Sequence, residues 1–155
     1  MKKNSVVKRG ECERASEWYA REIHNCCLVR RAIRTQFQSV DFFAADVVGK
    51  KKDGSHVYIQ ATAGQASAVS ARRKKLEKIP WHFSDTVELA QLVQTQNPAN
   101  ARQTLWFFRV HEYHLISTPT PTCEDFIITR EWRTLPDAIP VPKEWFKAYK
   151  EEKNE

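Results

Sequence analysis

The segment HVYIQATAG, residues 56–64, places a polar pair where the end of a strand meets a basic helix. Polar and apolar side chains alternate along it, which predicts a strand with one buried face. Gln60 and Thr62 share the polar face, and Gly64 follows shortly after them. A Gln-x-Thr pair in this position is a candidate for half of an active site.

The other half of such a site is Asp46, which reaches Gln60 in only one of two hairpin registers. The Asp-Gly pair at residues 53–54 supplies the left-handed position that a hairpin turn needs. A type I turn with a Gly bulge pairs Lys51 with Ser55. Counting back then puts Asp46 opposite Gln60, about 5 Å away across the strands. A two-residue turn puts the two side chains on opposite faces. We predict the bulged turn.

In the bulged register, Asp46, Gln60 and Thr62 cluster beside an apolar core. A buried carboxylate must be paired, protonated or bound to a metal ion. Carboxylate and carbonyl oxygens are the ligands that Mg²⁺ accepts, and a bound ion of this kind lowers the pKa of its water for attack on a phosphate. The competing interpretation is structural, with Asp46 capping a bulge or pairing with a nearby arginine.

The elements that must position these residues predict an α/β fold in the order α-β-β-β-α-α-β-β-α, with helices flanking a mixed sheet. Helices are predicted over residues 10–24, 66–79, 84–95 and 142–154. Strands are predicted over residues 25–32, 37–50, 56–62, 104–116 and 125–134. We expect residues 1–155 to form one domain, in which residues 1–8 are frayed, residues 9–80 hold the motifs and residues 81–155 complete the sheet and end in a helix.

Length and composition fit a domain with a real hydrophobic core. The chain has 155 residues, of which 41% are hydrophobic and 28% are charged. No apolar run approaches the roughly 20 residues of a membrane span, and the N-terminus lacks the apolar stretch of a secretory signal. The four cysteines have no zinc-like spacing. We therefore expect an intracellular protein with reduced thiols and no membrane partner.

Charge is distributed unevenly along the chain. Residues 1–78 carry 17 basic and 8 acidic side chains, whereas residues 79–155 carry 8 basic and 11 acidic ones. Neutralising phosphates releases counterions, so a basic half of this kind favours a polyanion partner such as nucleic acid. The alternative is a solvated basic surface without a partner.

The order of the motifs resembles the PD-(D/E)xK nuclease superfamily, above all the Holliday-junction resolvases of archaea and bacteriophages. In chain order, the motifs are a helix with RGECER, a strand ending in VRRA, the strand SVDFFAADVV, a hairpin, VYIQAT and the basic helix SARRKKLEKI. The resemblance covers residues 9–80. It implies a restriction-endonuclease-like core whose acidic motif lies on a hairpin and binds Mg²⁺ or Mn²⁺.

The resemblance assigns the metal ligands. Asp46 would be the central ligand, Gln60 the second, and the carbonyl oxygen of Ala61 the third. Asp41 is the alternative to Asp46, because VDFFA also matches the resolvase pattern, although it lies 19 residues before Gln60.

The resemblance also implies a carboxylate on the N-terminal helix and a lysine two residues after the second ligand. The helix carboxylate would be Glu13, with Glu11 or Glu17 as alternatives. The lysine position holds Thr62, and a hydroxyl cannot supply a positive charge. Losing a preorganised charged group commonly costs on the order of 10²–10³ in rate. Replacement from the next helix would come from Lys74, with its basic neighbours as alternatives.

Basic side chains are the expected contacts to DNA phosphates. The candidates lie on the first helix, around the first strand and on the basic helix, and they are Arg9, Arg30, Arg31, Arg34, Arg72, Arg73 and Lys75. For the basic helix, the alternative to a catalytic role is a solvated face that contacts phosphates.

These features together predict a metal-dependent DNA endonuclease that selects branched structures and hydrolyses phosphodiester bonds. We expect it in the cytoplasm of a bacterium or of a phage-infected host cell. Two symmetric cuts in a four-way junction need two sites, which predicts a homodimer. The alternatives are a DNA-binding protein that keeps the nuclease scaffold without its chemistry, and an accessory protein whose partner is another protein.

Overall fold

The computed structural model describes residues 9–34, 39–40, 43–122 and 124–142. Within these residues the chain forms two helices, α1 (Arg9–Glu22) and α2 (Ala66–Glu77). The strands in the same residues are β1 (Leu28–Arg31), β2 (Ile33–Arg34), β3 (Ser39–Val40), β4 (Val47–Lys50), β5 (His56–Thr62), β6 (Thr86–Asn97), β7 (Asn100–Pro119), β8 (Phe126–Thr134) and β9 (Ile139–Pro140). Neither helix is long and apolar enough to cross a membrane.

Seven of these strands form one mixed sheet. Its order is β1-β4-β5-β6-β7-β8, and β9 adds to β7. Helix α2 connects β5 to β6, which are parallel, and all the other pairs are antiparallel. The short strands β2 and β3 pair separately. The prediction of an α/β fold with a mixed sheet is therefore confirmed.

The hairpin between β4 and β5 has the predicted bulged turn. The Lys51 amide donates to the Ser55 carbonyl at 2.9 Å, and the Gly54 amide donates to the Lys51 carbonyl at 3.0 Å. Gly54 has a φ of 89°, the left-handed region that favours glycine. In this register Val47 pairs with Ile59. Asp46 and Gln60, one residue further from the turn, are consequently opposite each other.

Each face of the sheet packs on one helix. The face toward α1 carries the larger core, to which the helix contributes Ala15, Trp18 and Tyr19. The other face packs Val69 and Leu76 of α2 against β6. Because side chains alternate along strands, Gln60 lies on the α2 face while its neighbours in β5 point toward α1.

A glycine sets the distance between the end of α1 and the sheet. A Cβ atom added at Gly49 would lie 2.5 Å from the Sγ atom of Cys26, closer than side chains approach. Cys12 and Cys26 are buried and Cys27 is exposed, and all three thiols are free, as predicted. Cys123 lies outside the described residues.

The predicted helix over residues 84–95 is wrong, because this segment forms β6. Four consecutive residues of β6, from Val87 to Ala90, are buried, since the strand is central and covered on both faces. A strand of this kind loses the polar-apolar alternation that identifies a strand in a sequence. Asp85, which lies within the predicted helix, instead accepts a hydrogen bond from the amide of His82 in a turn.

Other boundaries also differ from prediction. The strand predicted over residues 37–50 is interrupted at Phe43 and Ala44, which both have positive φ. The predicted loop over residues 96–103 is mostly strand, and β9 was not predicted. The expected C-terminal helix, apart from Pro142, and the frayed residues 1–8 lie outside the described residues.

Candidate functional site

The first candidate site is built around Asp46, immediately before β4. Its side chain is 1% exposed. Its amide donates to the Ile59 carbonyl at 2.9 Å, and its carbonyl accepts from the Ala32 amide, so the backbone is held by both neighbouring segments. Its Oδ2 atom accepts hydrogen bonds from Gln60 Nε2 at 2.9 Å and from the Ala61 amide at 3.0 Å. The carboxylate thus accepts hydrogen bonds from two neighbouring residues of β5, Gln60 and Ala61.

The backbone just before Asp46 is strained. Phe43 and Ala44 have φ values of 51° and 66°, a left-handed conformation that residues with a Cβ atom rarely adopt. Two such residues in succession turn the chain so that Asp46 enters the sheet beside β5. Strain of this kind concentrates at functional sites.

Charges from both helices and the hairpin act at one point, the thiol of Cys12 on α1. Burial, followed by the negative charge of Asp46, raises the pKa of this thiol to about 12. The positive charge of Arg72 on α2 lowers the same pKa, and the charge of Glu13 raises it. Glu13 is itself 6% exposed. The charges of Glu13, Asp46 and Arg72 therefore all act on the Cys12 thiol.

The alternatives to two of these residues are placed differently. Glu17 forms ion pairs on the side of α1, with Arg31 Nε at 3.0 Å and with Arg21 Nη2 at 3.6 Å. The side chain of Glu11 and the whole of Asp41 lie outside the described residues.

Thr62 is buried, and its side chain stabilises the turn that connects β5 to α2. Its Oγ1 atom accepts a hydrogen bond from the Gly64 amide at 3.0 Å. A Cβ atom at Gly64 would lie 2.5 Å from the Cβ of Ala68, so this turn is packed tightly against the first turn of α2. The hydroxyl thus shapes the loop in the position where the resemblance expects a lysine.

The four consecutive basic residues of α2 differ in exposure and in where their side chains point. Lys74 and Lys75 are exposed, and Arg72 is half-buried. Arg73 points toward the sheet, where its Nη2 atom donates to His111 Nδ1 at 2.7 Å and its guanidinium lies 5.1 Å from the Trp132 ring. Of the four, Arg72 is the one whose charge acts on the Cys12 thiol, on which Asp46 also acts.

The other expected phosphate contacts are scattered. Arg30 is exposed on β1, and its Nη1 atom donates to the neighbouring carbonyl of Val29 at 3.3 Å. Arg31 is bound to Glu17. The side chains of Arg9 and Arg34 lie outside the described residues.

The donors around Asp46 suit a hard cation better than a soft one. The described residues contain no group of three or more His, Cys, Asp and Glu side chains arranged for a metal ion. The site instead offers the carboxylate of Asp46, with the carbonyl groups of its hydrogen-bond partners Gln60 and Ala61. Mg²⁺ accepts one or two carboxylates and keeps several waters, so this set is compatible with it. Gln60 would bind through its amide oxygen, which requires the amide to turn over, since its nitrogen faces Asp46.

A second buried carboxylate, on the α1 face, was missed from the sequence. Glu88 on β6 is 2% exposed. It accepts hydrogen bonds from the Tyr19 hydroxyl at 2.9 and 3.1 Å, and its Oε1 atom makes a short contact with His24 Nε2. Burial and the negative charge of Glu88 raise the pKa of Tyr19, so the phenol stays protonated. A glutamate inside the apolar run VELAQLV was the available signal, but the segment was predicted to be a helix and Glu88 was not singled out.

A polar network on the α2 face connects three elements to the loop after β5. His111 Nδ1 accepts from Arg73, and His111 Nε2 donates to Gln91 Oε1 at 3.1 Å. Gln91 Nε2 donates in turn to the Gly64 carbonyl at 3.2 Å. The pattern requires a neutral imidazole. Burial and the charges of Arg73 and Arg109 lower the pKa of His111 to about 4.

Comparison of the chain with protein families, with curated proteins and with solved structures found no match.

Proposed function

We propose that this protein is a metal-dependent DNA endonuclease of the PD-(D/E)xK type. The observation that carries the proposal is the position of Asp46, which is buried opposite Gln60 at the end of a bulged hairpin. Glu13 of α1 is also buried, and its charge and that of Asp46 both act on the Cys12 thiol. A carboxylate on a hairpin and another on the first helix are what the resemblance implies. Support also comes from α2, which follows β5 directly and carries four consecutive basic residues.

In this proposal each residue has a distinct role. Asp46 would hold Mg²⁺ or Mn²⁺ together with the carbonyl oxygens of Gln60 and Ala61, and the ion would lower the pKa of a bound water. Glu13 of α1 would supply the second carboxylate that the resemblance implies. Arg72 would supply the positive charge that Thr62 lacks, since its charge and that of Asp46 both act on the Cys12 thiol. A fixed guanidinium near a developing phosphate charge stabilises the transition state.

The DNA backbone would be held by exposed cations on both sides of the site. Arg30 lies on β1, and Lys74 and Lys75 lie on α2. Contacts of this kind position a duplex without reading its sequence, which fits a structure-selective enzyme. The activity would be cytoplasmic, where branched DNA intermediates of recombination arise.

Cutting both arms of a branched DNA would need a homodimer. The end of the sheet at β8 exposes Ile127 and Ile128, which are 53% and 61% exposed. An edge strand with exposed β-branched residues is suited to pairing with another strand. Sedimentation of the full chain at micromolar concentration tests this point, and a monomer at all concentrations would contradict it.

A second candidate function is DNA binding without hydrolysis. It is favoured by two contacts, the Thr62 hydroxyl committed to the Gly64 amide and the Gln60 amide nitrogen turned toward Asp46. In this case Asp46 would be a structural cap for β5.

The deciding experiment compares Asp46→Asn with Asp137→Asn. The native protein is incubated with a labelled four-way junction and a matched linear duplex at low salt, in Mg²⁺ and then in Mn²⁺. We expect metal-dependent cleavage that Asp46→Asn abolishes and that Asp137→Asn, an exposed loop carboxylate, leaves intact. Binding without cleavage in both metals would establish the second function.

A further inference from the structure

The face of the sheet beyond α2 carries a groove next to the candidate site. Strands β1, β4 and β5 form its floor. We name it the open-face groove and define it by Arg30, Phe43, Lys50, His56 and Tyr58. Its volume is about 250 Å³. This is slightly below the roughly 300–1,000 Å³ of sites for drug-sized ligands, so it suits one planar ring better than a large cofactor.

Strand pairing places these side chains in rows. Lys50 pairs with His56 in one row, and Arg30, Val48 and Tyr58 form the next row. The following row along the same strands holds Asp46 and Gln60. Rows on one face are about 7 Å apart, so the buried side chains of Asp46 and Gln60 lie one row from the groove lining.

Aromatic rings form one wall of the groove. Phe43 is 63% exposed, and its ring centroid lies 6.2 Å from that of Tyr58. The Tyr58 ring is fixed from the other side by Trp81, with centroids 4.8 Å apart. A held Tyr58 ring beside an exposed Phe43 ring presents aromatic surface that the described residues do not cover.

The charged side chains that line the groove are basic. Arg30 and Lys50 are exposed, and His56 is half-buried beside them. Among the described residues that line the groove there is no Asp or Glu. Aromatic surface bordered by cations is the combination that binds single-stranded nucleic acid, because bases stack on the rings while phosphates pair with the cations.

We propose that the open-face groove binds an unpaired nucleotide of DNA, with its base stacked against Tyr58 and Phe43 and its phosphates paired with Arg30 and Lys50. This inference rests on the proposed function in taking DNA as the partner, and it names the substrate class as DNA with unpaired bases. A nucleotide bound there would direct the adjoining phosphodiester toward Asp46.

The first test compares a labelled dT 20-mer with an abasic oligonucleotide of the same length, by fluorescence anisotropy on the full chain. Both probes carry the same phosphates, and only the first can stack. We expect the native protein to bind dT on the order of tenfold more tightly than the abasic probe. Tyr58→Leu should remove that difference while leaving abasic binding unchanged, and Tyr58→Phe, which keeps the ring, should retain it.

A second variant guards against loss of folding. Phe43→Ala truncates an exposed side chain, so circular dichroism should match the native protein while dT binding weakens several-fold. The control is Leu105→Ala, at an exposed position near the start of β7, which should leave both affinities unchanged.

Salt dependence tests the cations. Arg30→Gln should lower the slope of log affinity against log salt by about one for both probes. Arg102→Gln is the matched control and should leave the slope unchanged. Arg102 is exposed near the start of β7, a strand that does not line the groove.

The outcomes separate this inference from the proposed function. Equal binding of dT and abasic DNA by the native protein overturns the groove, even if Mg²⁺-dependent cleavage of a duplex is observed. Stacking lost in Tyr58→Leu without cleavage in any metal supports the groove and overturns the endonuclease. Tight binding of polyglutamate that Arg30→Gln weakens, without any preference for dT, would identify an acidic protein partner and also overturn the inference.

Discussion

The molecule buries two carboxylates on opposite faces of one sheet, and their settings differ. Glu88 is the third residue of the central strand β6, in contact with the Tyr19 hydroxyl and the His24 ring. Asp46 lies at a strand end, held by two neutral N–H donors and bordered by an open groove. Burial and hydrogen bonding are common to both, so they do not identify chemistry. What distinguishes Asp46 is its place on the same sheet face as a groove lined by Arg30 and Lys50, one row away along the strands.

The backbone conformation near Asp46 also differs from that near Glu88. Phe43 and Ala44, just before Asp46, have left-handed conformations that cost free energy for residues with a Cβ atom. Near Glu88, the left-handed residue is Asn25, a type that tolerates this conformation. The strained backbone conformations thus lie beside Asp46 and the open-face groove. The left-handed residue near Glu88 is of a type that adopts this conformation at little cost.

The largest expected effect comes from making the same amide substitution at both carboxylates. Asp46→Asn should lower the cleavage rate on the order of 10²–10³-fold, because the amide cannot hold the cation. Glu88→Gln should leave the rate of the folded protein within a few-fold of native, since Glu88 lies on the opposite face. Single-turnover cleavage of a labelled junction at a temperature where both variants are folded measures this. Equal losses would show that the two carboxylates do not have separate roles.

For the free energy of unfolding we expect the reverse order, with the larger loss in Glu88→Gln and the smaller one in Asp46→Asn. Glu88→Gln removes a charged acceptor shared by the Tyr19 hydroxyl and His24, which should lower the free energy of unfolding by about 2 kcal/mol. For a chain of this length that corresponds to a fall in Tm of roughly 4–8 °C. Asp46→Asn keeps an oxygen for the Ala61 amide and should cost less than about 1 kcal/mol. Urea unfolding of both variants gives the comparison, and a larger loss for Asp46→Asn would make its role structural.

The Asp46 side of this comparison was predictable from the sequence and the Glu88 side was not. The bulged turn at residues 53–54 fixes the register locally, and that register alone brings Asp46 opposite Gln60. The contact between Tyr19 and Glu88 joins residues 69 apart, and β6 lacked the alternation that would have identified it as a strand. No local rule places such residues together.

The basic helix shows the same limit within a correctly predicted element. Helix α2 was expected over residues 66–79 and ends at Glu77. The sequence does not say which basic side chain turns inward, because that depends on His111 and Trp132 on distant strands. Helix existence is a local property here, whereas the direction of each arginine is a tertiary one.

A smaller effect concerns the dependence of stability on pH, to which we expect His111 on the α2 face to contribute. The pKa of His111 falls from an ordinary 6.5 to about 4 on folding, so the unfolded chain binds more protons as the pH falls below 6.5. The stability contributed by neutral His111 is complete above pH 6.5 and is lost progressively toward pH 4. We expect a loss on the order of 1 kcal/mol between pH 6.5 and 5. Urea unfolding at several pH values measures it.

The variant that isolates this effect is His111→Gln, which keeps a donor for Gln91 and an acceptor for Arg73 without titrating. It should flatten the dependence of stability on pH in this window. His114→Gln, a half-buried histidine on the same strand, is the control and should keep the native dependence. An unchanged profile in His111→Gln would move the acid sensitivity away from the α2 face.

The smallest expected effect concerns the end of α1, where the loop that carries His24 begins. Asn25 has a φ of 55°, and the Cys26 amide donates back to the Ala20 carbonyl at 3.0 Å. Asn25→Ala should lower the free energy of unfolding by about 0.5–1 kcal/mol, because a Cβ atom without a local polar group is disfavoured in this conformation. Asn25→Gly should stay within a few tenths of native. If thermal unfolding instead showed equal losses for both, the Asn25 side chain rather than its backbone conformation would hold the loop beside Glu88.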